Sequence, residues 1–252
     1  MRRIRPLMLL VMFFAVLSLG VSGCGIHYTA PNAQEAPSQT EEKHVDPNGW
    51  SAILEAINKN QTVTKFGMNG NLYVRERGRT HLSSIYGNVI LPDQIVMSQS
   101  VDGRSYYIFQ DQHSSYYRED GAWRPSSRVK LPDIWASLER LTKMNPPTVY
   151  RLKDQILISS NTHVYQLEAD AVPLAGFPVP EGKSVPTLYT FYIDAKTHYL
   201  MKIEMESVSG VDDVGTFVTN ASIQFFSLND DNLKVEMPPE LKNQLKEEAK
   251  RK

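Results

Sequence analysis

Residues 187–206, TLYTFYIDAKTHYLMKIEME, carry the pattern that decides the fold. The first seven are apolar or aromatic on both faces, which is typical of a central strand covered on each side. After the turn-like residues 194–198, apolar side chains at 199, 201, 203 and 205 alternate with charged ones at 202, 204 and 206. A period of two indicates a half-buried strand. The stretch therefore predicts two successive strands joined by a short turn.

The same period recurs through most of the chain. Phe66, Met68, Leu72 and Val74 share one parity, and Asp102-Gly103 between apolar runs is a strong hairpin signal. Further strand-like runs are predicted at 80–90, 93–100, 104–110, 114–118, 148–153, 155–160, 162–169 and 217–225.

Helical spacing occurs in two places. Trp50, Ile53, Leu54 and Ile57 predict a first helix that begins near Gly49. A second helix follows Leu131-Pro132-Asp133, with Ile134, Leu138 and Leu141 on one face, and Asn145-Pro146-Pro147 ends it. Many meandering strands with two helices predict an α+β fold, an antiparallel sheet with helices packed against it.

The first 24 residues have the order of a bacterial lipoprotein signal. Three arginines precede an apolar run, and small residues lead to Cys24, the one cysteine of the chain. Val21-Ser22-Gly23-Cys24 resembles a lipobox, which implies removal of residues 1–23 and acylation of Cys24, for example with palmitate. The alternative is an uncleaved N-terminal anchor with an incidental cysteine. Two or more acyl chains would hold the chain durably on the extracytoplasmic face of the cell membrane.

Composition limits the function of the mature chain. Removal of residues 1–23 leaves 24 basic and 28 acidic residues, which argues against a nucleic-acid partner. Residues 24–48 contain Pro31, Pro37 and Pro47 and almost no aliphatic side chains, so they are predicted to be a disordered tether. The folded domain is predicted over residues 49–240, and residues 241–252 as a charged tail, either a short solvated helix or a frayed end.

The order of lipobox, tether, first helix and strands, together with two further stretches of sequence, resembles the LolA/LppX/LprG superfamily of lipoprotein carriers and sensors. The two stretches are Tyr192-Ile193-Asp194-Ala195-Lys196-Thr197 and residues 223–229, IQFFSLN, leading to Pro238. The resemblance covers roughly residues 49–240. It implies a strongly curved antiparallel sheet, an incomplete barrel, with two or three helices packed on its concave side and an apolar cavity. It transfers no catalytic or ligand-binding residue.

No catalytic or metal-binding constellation stands out, so we expect no enzyme, cofactor or metal site. The six histidines are dispersed, and phosphate-loop and nucleophile-elbow motifs are absent from the sequence. His113-Ser114-Ser115 has the residue types of a base and a nucleophile, but a solvated turn explains it better because adjacent strand residues face opposite sides. Asp212-Asp213 and Asn229-Asp230-Asp231-Asn232 offer oxygen ligands without calcium-loop spacing and are interpreted as surface turns.

The apolar strand residues allow two interpretations. They fill a core if the sheet closes tightly on its helices, and they line a cavity for a lipid or another amphiphile if it stays open. Methionine suits such a lining because it is unbranched and adaptable. The candidates for the lining are Phe66, Met68, Leu72, Met201, Ile203, Met205, Phe217, Ile223 and Phe225.

Two functions remain open. The first is a membrane-anchored lipoprotein that binds an amphiphile, and the proline-rich residues 171–186 would be either its lid or a plain surface loop. The second is a sensor or assembly module that binds another cell-envelope protein. This hypothesis is based on a set of aromatic residues, because Tyr and Trp are enriched at protein interfaces. The alternative role of the same residues is to form cross-strand pairs within the sheet. They are Tyr106, Tyr107, Tyr116, Tyr117 and Trp123.

Overall fold

The computed structural model describes residues 43–76, 79–128, 134–143, 145–170, 186–212 and 215–251. The described elements are twelve strands and three helices. The strands are β1 (His44–Val45), β2 (Lys65–Glu76), β3 (Arg79–Ile90), β4 (Gln94–Val101), β5 (Arg104–Gln110), β6 (Ser115–Glu119), β7 (Arg124–Pro125), β8 (Val149–Leu157), β9 (Ser160–Asp170), β10 (Pro186–Asp194), β11 (Leu200–Asp212) and β12 (Gly215–Phe226). The helices are α1 (Gly49–Asn60), α2 (Ile134–Thr142) and α3 (Pro239–Lys250).

All twelve strands form one open, curved antiparallel sheet, in the order β1-β8-β9-β10-β11-β12-β2-β3-β4-β5-β6-β7. It consists of two runs of successive hairpins, β2 to β7 and β8 to β12. Pairing of β12 with β2 joins the two runs over nine registered residue pairs, from Val218↔Arg75 to Phe226↔Gly67. The prediction of an α+β fold with a curved antiparallel sheet is confirmed.

One face of the sheet, here called the core face, carries the main hydrophobic core. Tyr189, Phe191, Ile203, Ile223 and Phe225 point to it from three neighbouring strands and are almost completely buried. The alternate residues of the same strands, among them Thr190, Glu204 and Ser222, define the opposite face, here called the groove face. Because side chains alternate along a strand, this assignment extends across the paired strands.

Helices α1 and α2 cover the core face. Ile53 and Ile57 of α1 are buried in the core, as are Leu138 and Leu141 of α2. Trp135 of α2 lies with its ring centroid 4.7 Å from that of Phe225, and its Nε1 donates to the carbonyl oxygen of Val63 at 3.2 Å. Both predicted helices are therefore present, and their apolar stripes pack where the helical spacing places them.

Helix α3 lies on the groove face, at the β4–β6 end of the sheet. Leu241 is 0% exposed and packs with Phe109 and Trp123. The side chain of Gln244 makes two hydrogen bonds with the backbone of Trp123, accepting from its N–H at 2.9 Å and donating to its carbonyl at 2.8 Å. The residues predicted as a charged tail thus include a helix with one buried anchor.

The boundaries differ from the sequence prediction in two other places. β1 pairs with β8 at residues 44 and 45, inside the stretch predicted as a tether. Residues 148–169 were expected to form three strands, but they form the single hairpin β8–β9 with a bulge between Leu152 and Gln155. The turn falls at Ile158 and Ser159, which have φ angles of 46° and 67°. These residue types seldom take positive φ, so the sequence carries no turn signal there.

Candidate functional site

A groove of about 790 Å³ opens on the groove face. Residues of eight neighbouring strands border it, from Leu152 of β8 at one side to Ser100 of β4 at the other. The groove therefore spans the junction between the two runs of hairpins. It lies on the face opposite α1 and α2, whereas the resemblance implies an apolar cavity on the helix side.

Strand pairing lines up seven polar side chains across the groove in one row, here called the transverse row. In the strand register, Asn71 lies opposite Ser84 on one neighbouring strand and opposite Ser222 on the other. The other members continue the row outward on both sides, each opposite a member on the neighbouring strand. All seven border the groove. In sheet order the row is Ser100, Ser84, Asn71, Ser222, Glu204, Thr190 and Gln166.

Apolar and aromatic side chains flank this row. The next row toward one end of the strands includes Leu82, Tyr73 and Leu188, which also border the groove. Leu82 is 57% exposed, so its hydrocarbon is accessible from the groove. The lining therefore combines hydrogen-bonding groups with accessible hydrocarbon.

Two carboxylates are the charged groups among the residues that border the groove. Glu204 accepts a hydrogen bond from the Tyr192 hydroxyl at 2.6 Å and pairs with Lys202 Nζ at 2.5 Å. Lys202 also lies 4.9 Å above the ring of Tyr192. Glu206 is exposed in the neighbouring row. Lys202 balances Glu204, and Lys43 Nζ donates to Gln166 Oε1 at 2.5 Å, so the charges around the groove are close to balanced.

The structure places most of the predicted ligand-lining residues in the core. The side chains that are almost fully buried in the main cluster are Phe66, Met68, Leu72, Ile203, Met205, Ile223 and Phe225. Met201 is half-buried, and the side chain of Phe217 lies outside the described part of the chain. Leu72 and Met205 also border the groove. Strand parity identified the buried face, but parity alone does not separate a filled core from a lined cavity.

A smaller cavity of about 280 Å³ lies beside α3 on the groove face. Arg118 borders it and stacks on two aromatic rings, 4.1 Å from the centroid of Tyr107 and 5.2 Å from that of Trp123. Tyr86 also borders it, is 58% exposed, and stacks on Phe226 at a centroid distance of 5.9 Å. The cation–π interactions of Arg118 hold the ring of Trp123, against which Leu241 of α3 packs.

His113 and Ser114 occupy a solvated turn, as predicted. Asp111 Oδ1 accepts from the backbone N–H groups of His113 and Ser114 at 2.8 and 2.7 Å, and from the Ser114 hydroxyl at 3.0 Å. Burial alone would raise the pKa of Asp111, but these hydrogen bonds outweigh it and hold the pKa below its usual value. Ser115 pairs with the Ser126 hydroxyl at 2.8 Å instead of with the histidine.

The acidic turn at residues 229–232 serves local structure. Asn229 Oδ1 accepts from the Thr64 backbone N–H at 2.9 Å, and Asp231 pairs with Lys65 at 3.1 Å. Asp213 lies outside the described residues. Within the ranges that the structure describes, no group of three His, Cys, Asp or Glu side chains is placed to hold a metal ion.

Several sequence predictions lie outside the described residues. They concern the signal peptide, Cys24, most of the tether and residues 171–185. Of the helices that are described, none combines the length and the hydropathy that a membrane span requires.

The transverse row itself escaped the sequence prediction. Asn71 and Ser222 alternate with the apolar residues of their strands, as Glu204 does, and polar parity normally indicates solvent. Their convergence depends on β12 pairing with β2 across about 150 residues of chain. The local sequence of either strand contains no signal that predicts the pairing of β12 with β2.

No known family model matches the chain, and no curated protein does. Solved structures do match, and the match to LprF shows that the chain shares the fold of that protein, as the resemblance implied. LprF from Mycobacterium bovis aligns with a TM-score of 0.50 at 12% identity, over 77% of this chain and 98% of LprF. The lipoprotein LppX of Mycobacterium tuberculosis aligns with a TM-score of 0.46 at 12% identity, over 76% of this chain and 100% of LppX. A putative outer membrane lipoprotein-sorting protein domain from Vibrio parahaemolyticus has a TM-score of 0.24 at 10% identity, over 79% and 98%.

Proposed function

We propose that this protein is a non-enzymatic lipoprotein, held on the extracytoplasmic face of the membrane by acyl chains on Cys24, that binds a lipid or another amphiphile in the groove. The order of charged, apolar and small residues before Cys24 supports the anchor. The fold supports a binding role. Residues 24–42 would then connect the acyl chains to β1 at the sheet edge.

The groove is the observation that carries this proposal. Its volume of about 790 Å³ lies within the range of roughly 300 to 1,000 Å³ that ligand sites occupy. Leu82, Leu188 and Tyr73 offer apolar contact beside the hydrogen-bonding side chains of the transverse row. An amphiphile satisfies both kinds of lining at once, because its hydrocarbon meets the leucines and its polar part meets the row.

Native mass spectrometry tests the binding. The full chain is released from membranes with an amphipathic polymer in place of detergent, and an amphiphile is expected to remain bound at one copy per protein. Leu188→Glu places a charge in the groove and should lose it. Ile156→Glu is the matched control, because Ile156 is 72% exposed and lies outside the groove. Equal retention by both variants, or no bound species in the native chain, would contradict the proposal.

A second function has one specific observation in its favour. Tyr86, stacked on Phe226, and Leu82 each expose apolar surface on the groove face of β3, on either side of Ser84. Such surface is typical of protein contact sites, so we keep a sensor or assembly module for another envelope protein as the alternative. A photo-crosslinking residue at position 86, compared in intact cells with one at exposed position 156, tests it. A protein captured at position 86 alone would favour this function.

A further inference from the structure

We infer that the groove recognises its ligand through a saccharide, laid across the strands along the transverse row. This inference rests on the proposed function, since it requires that the groove holds a ligand. It adds the chemistry of the portion of the ligand that contacts the transverse row. That portion is a neutral saccharide, either a sugar chain or the sugar headgroup of a lipid.

The spacing of the row favours an extended ligand with repeated polar groups. Neighbouring strands lie about 4.7–4.9 Å apart, so the row presents a hydrogen-bonding side chain at each such step. Ser84, Asn71 and Ser222 occupy three consecutive steps at its middle. A chain of pyranose rings carries hydroxyl groups at intervals of comparable length, on the order of one strand spacing.

The chemistry of the row matches hydroxyl groups. Serine, threonine, asparagine and glutamine side chains each donate and accept hydrogen bonds, as a sugar hydroxyl does. No lysine or arginine borders the groove, and its acids are Glu204 and Glu206. The two lysines that touch the row are already engaged, Lys202 with Glu204 and Lys43 with Gln166. A phosphate or carboxylate would have to compete for them, whereas a neutral polyol finds donors and acceptors together.

The central side chains of the row are free to bind. Asn71, Ser84 and Ser222, with Asn220 in the neighbouring row, make no side-chain hydrogen bond with any described residue. Asn71 and Asn220 are also exposed. Ligand hydroxyls would therefore replace water at these groups without breaking a bond inside the protein.

The flanking row supplies the apolar contact that a sugar ring needs. Tyr73 and Leu82 are directly paired across β2 and β3, one step along the strands from Asn71 and Ser84. Tyrosine offers a flat apolar surface with a polar tip. The C–H face of a ring can pack there while its hydroxyls reach the row.

Titration of the full chain in lipid nanodiscs tests the inference. The soluble probes are chitohexaose and maltohexaose, and a second arm compares octyl β-glucoside, below its micelle concentration, with methyl β-glucoside. Binding of a hexasaccharide indicates a glycan chain. If octyl β-glucoside binds, no hexasaccharide binds, and Asn71→Ala weakens the binding of octyl β-glucoside, the ligand is recognised through a sugar headgroup. Both outcomes support a saccharide site.

Two variants locate the binding. Asn71→Ala and Asn220→Ala each remove a free amide and should weaken binding of the probe by roughly three- to tenfold. Asn69→Ala is the matched control, because Asn69 is exposed on the same strand and the same face but does not border the groove. Thermal unfolding of the three variants is compared to show that all remain folded.

Three results would overturn the inference: no probe binds, Asn69→Ala weakens binding as much as Asn71→Ala, or octyl β-glucoside binds equally well to Asn71→Ala. The proposed function is judged separately by mass spectrometry. An amphiphile retained by the native chain and lost from Leu188→Glu, with no saccharide binding, refutes the inference alone. Loss of both signals refutes both.

Discussion

Asp194 shows how one side chain organises the hairpin that decides the fold. Its Oδ1 accepts from the Lys196 N–H at 3.0 Å, the Thr197 N–H at 2.6 Å and the Thr197 hydroxyl at 2.8 Å. Burial alone would raise the pKa of Asp194, but these donors outweigh it and hold the pKa below its usual value. The carboxylate therefore stabilises the turn between β10 and β11 in its ionised form.

The stability of the domain should depend on this ionisation. Because the pKa of Asp194 is lower in the folded than in the unfolded state, its contribution is full above the unfolded pKa and is lost as pH falls through the folded pKa. Asp194→Ala is expected to cost about 1–3 kcal/mol at pH 7, and less at pH 3. Urea unfolding at both pH values measures the difference. A cost that stays constant with pH would contradict the assigned role.

The control for this experiment is Asp231→Ala. The Asp231 carboxylate is 98% exposed and makes a surface ion pair with Lys65. Such a pair contributes about 0–1 kcal/mol, so we expect a small change at both pH values.

Cys24 is the residue on which the proposed location depends. Cys24→Ala should abolish incorporation of an alkyne-tagged fatty acid and release the chain from the membrane fraction, because no other thiol is available. Ser22→Ala, which keeps a small residue before the modified cysteine, should still be labelled. Membrane association without fatty-acid labelling, unchanged in Cys24→Ala, would favour an uncleaved anchor.

At the scale of elements, Asn60 fixes the end of α1 to the start of β11. Its side chain donates to the Leu200 carbonyl at 3.0 Å and accepts from the Leu200 N–H at 2.9 Å, in the manner of a strand partner. Asn60 is 0% exposed, so its removal leaves two backbone groups buried without partners. Asn60→Ala is expected to lower the free energy of unfolding by about 2–4 kcal/mol, and exposed Asn58→Ala by less than about 0.5 kcal/mol.

Chemical denaturation of both variants measures these values. Similar stabilities for Asn60→Ala and Asn58→Ala would mean that α1 is held by its apolar face alone.

Helix α3 provides a second test at this scale. Leu241 is fully buried against Phe109 and Trp123, so Leu241→Ala is expected to cost about 2–4 kcal/mol. Leu245 lies one turn further along the same helix and is half-buried, so Leu245→Ala should cost less. Global unfolding reports the stability, and a change in tryptophan fluorescence reports the environment of Trp123. Equal costs at the two positions would contradict the anchor role of Leu241.

Elements with a distinct local signal were predictable. Asp102-Gly103 forms the β4–β5 turn with φ angles of 48° and 82°, which these residue types tolerate. The β8–β9 turn at Ile158-Ser159 was not predictable, because its positive φ angles come from the pairing of the flanking strands and not from the turn residues themselves. Tertiary contacts override propensity there.

At the scale of the whole molecule, the sheet order limited the sequence prediction. Parity correctly placed Ile203, Ile223 and Phe225 on the buried face. The position of the groove depends on which strands become neighbours, and above all on β12 pairing with β2. That information is distributed over the chain, so the polar row of Asn71 and Ser222 becomes a candidate site only when the complete sheet is known.

The junction between β12 and β2 also sets the moment at which the transverse row is complete in a newly made chain. Ser100, Ser84 and Asn71 lie in the run of strands that is synthesised first, while Ser222 and Glu204 lie near the C-terminal end. Each run can pair locally as it emerges, but closing a connection of about 150 residues is slower than forming a hairpin. The complete row therefore forms only after β12 has been made and has paired with β2, later than either run of hairpins.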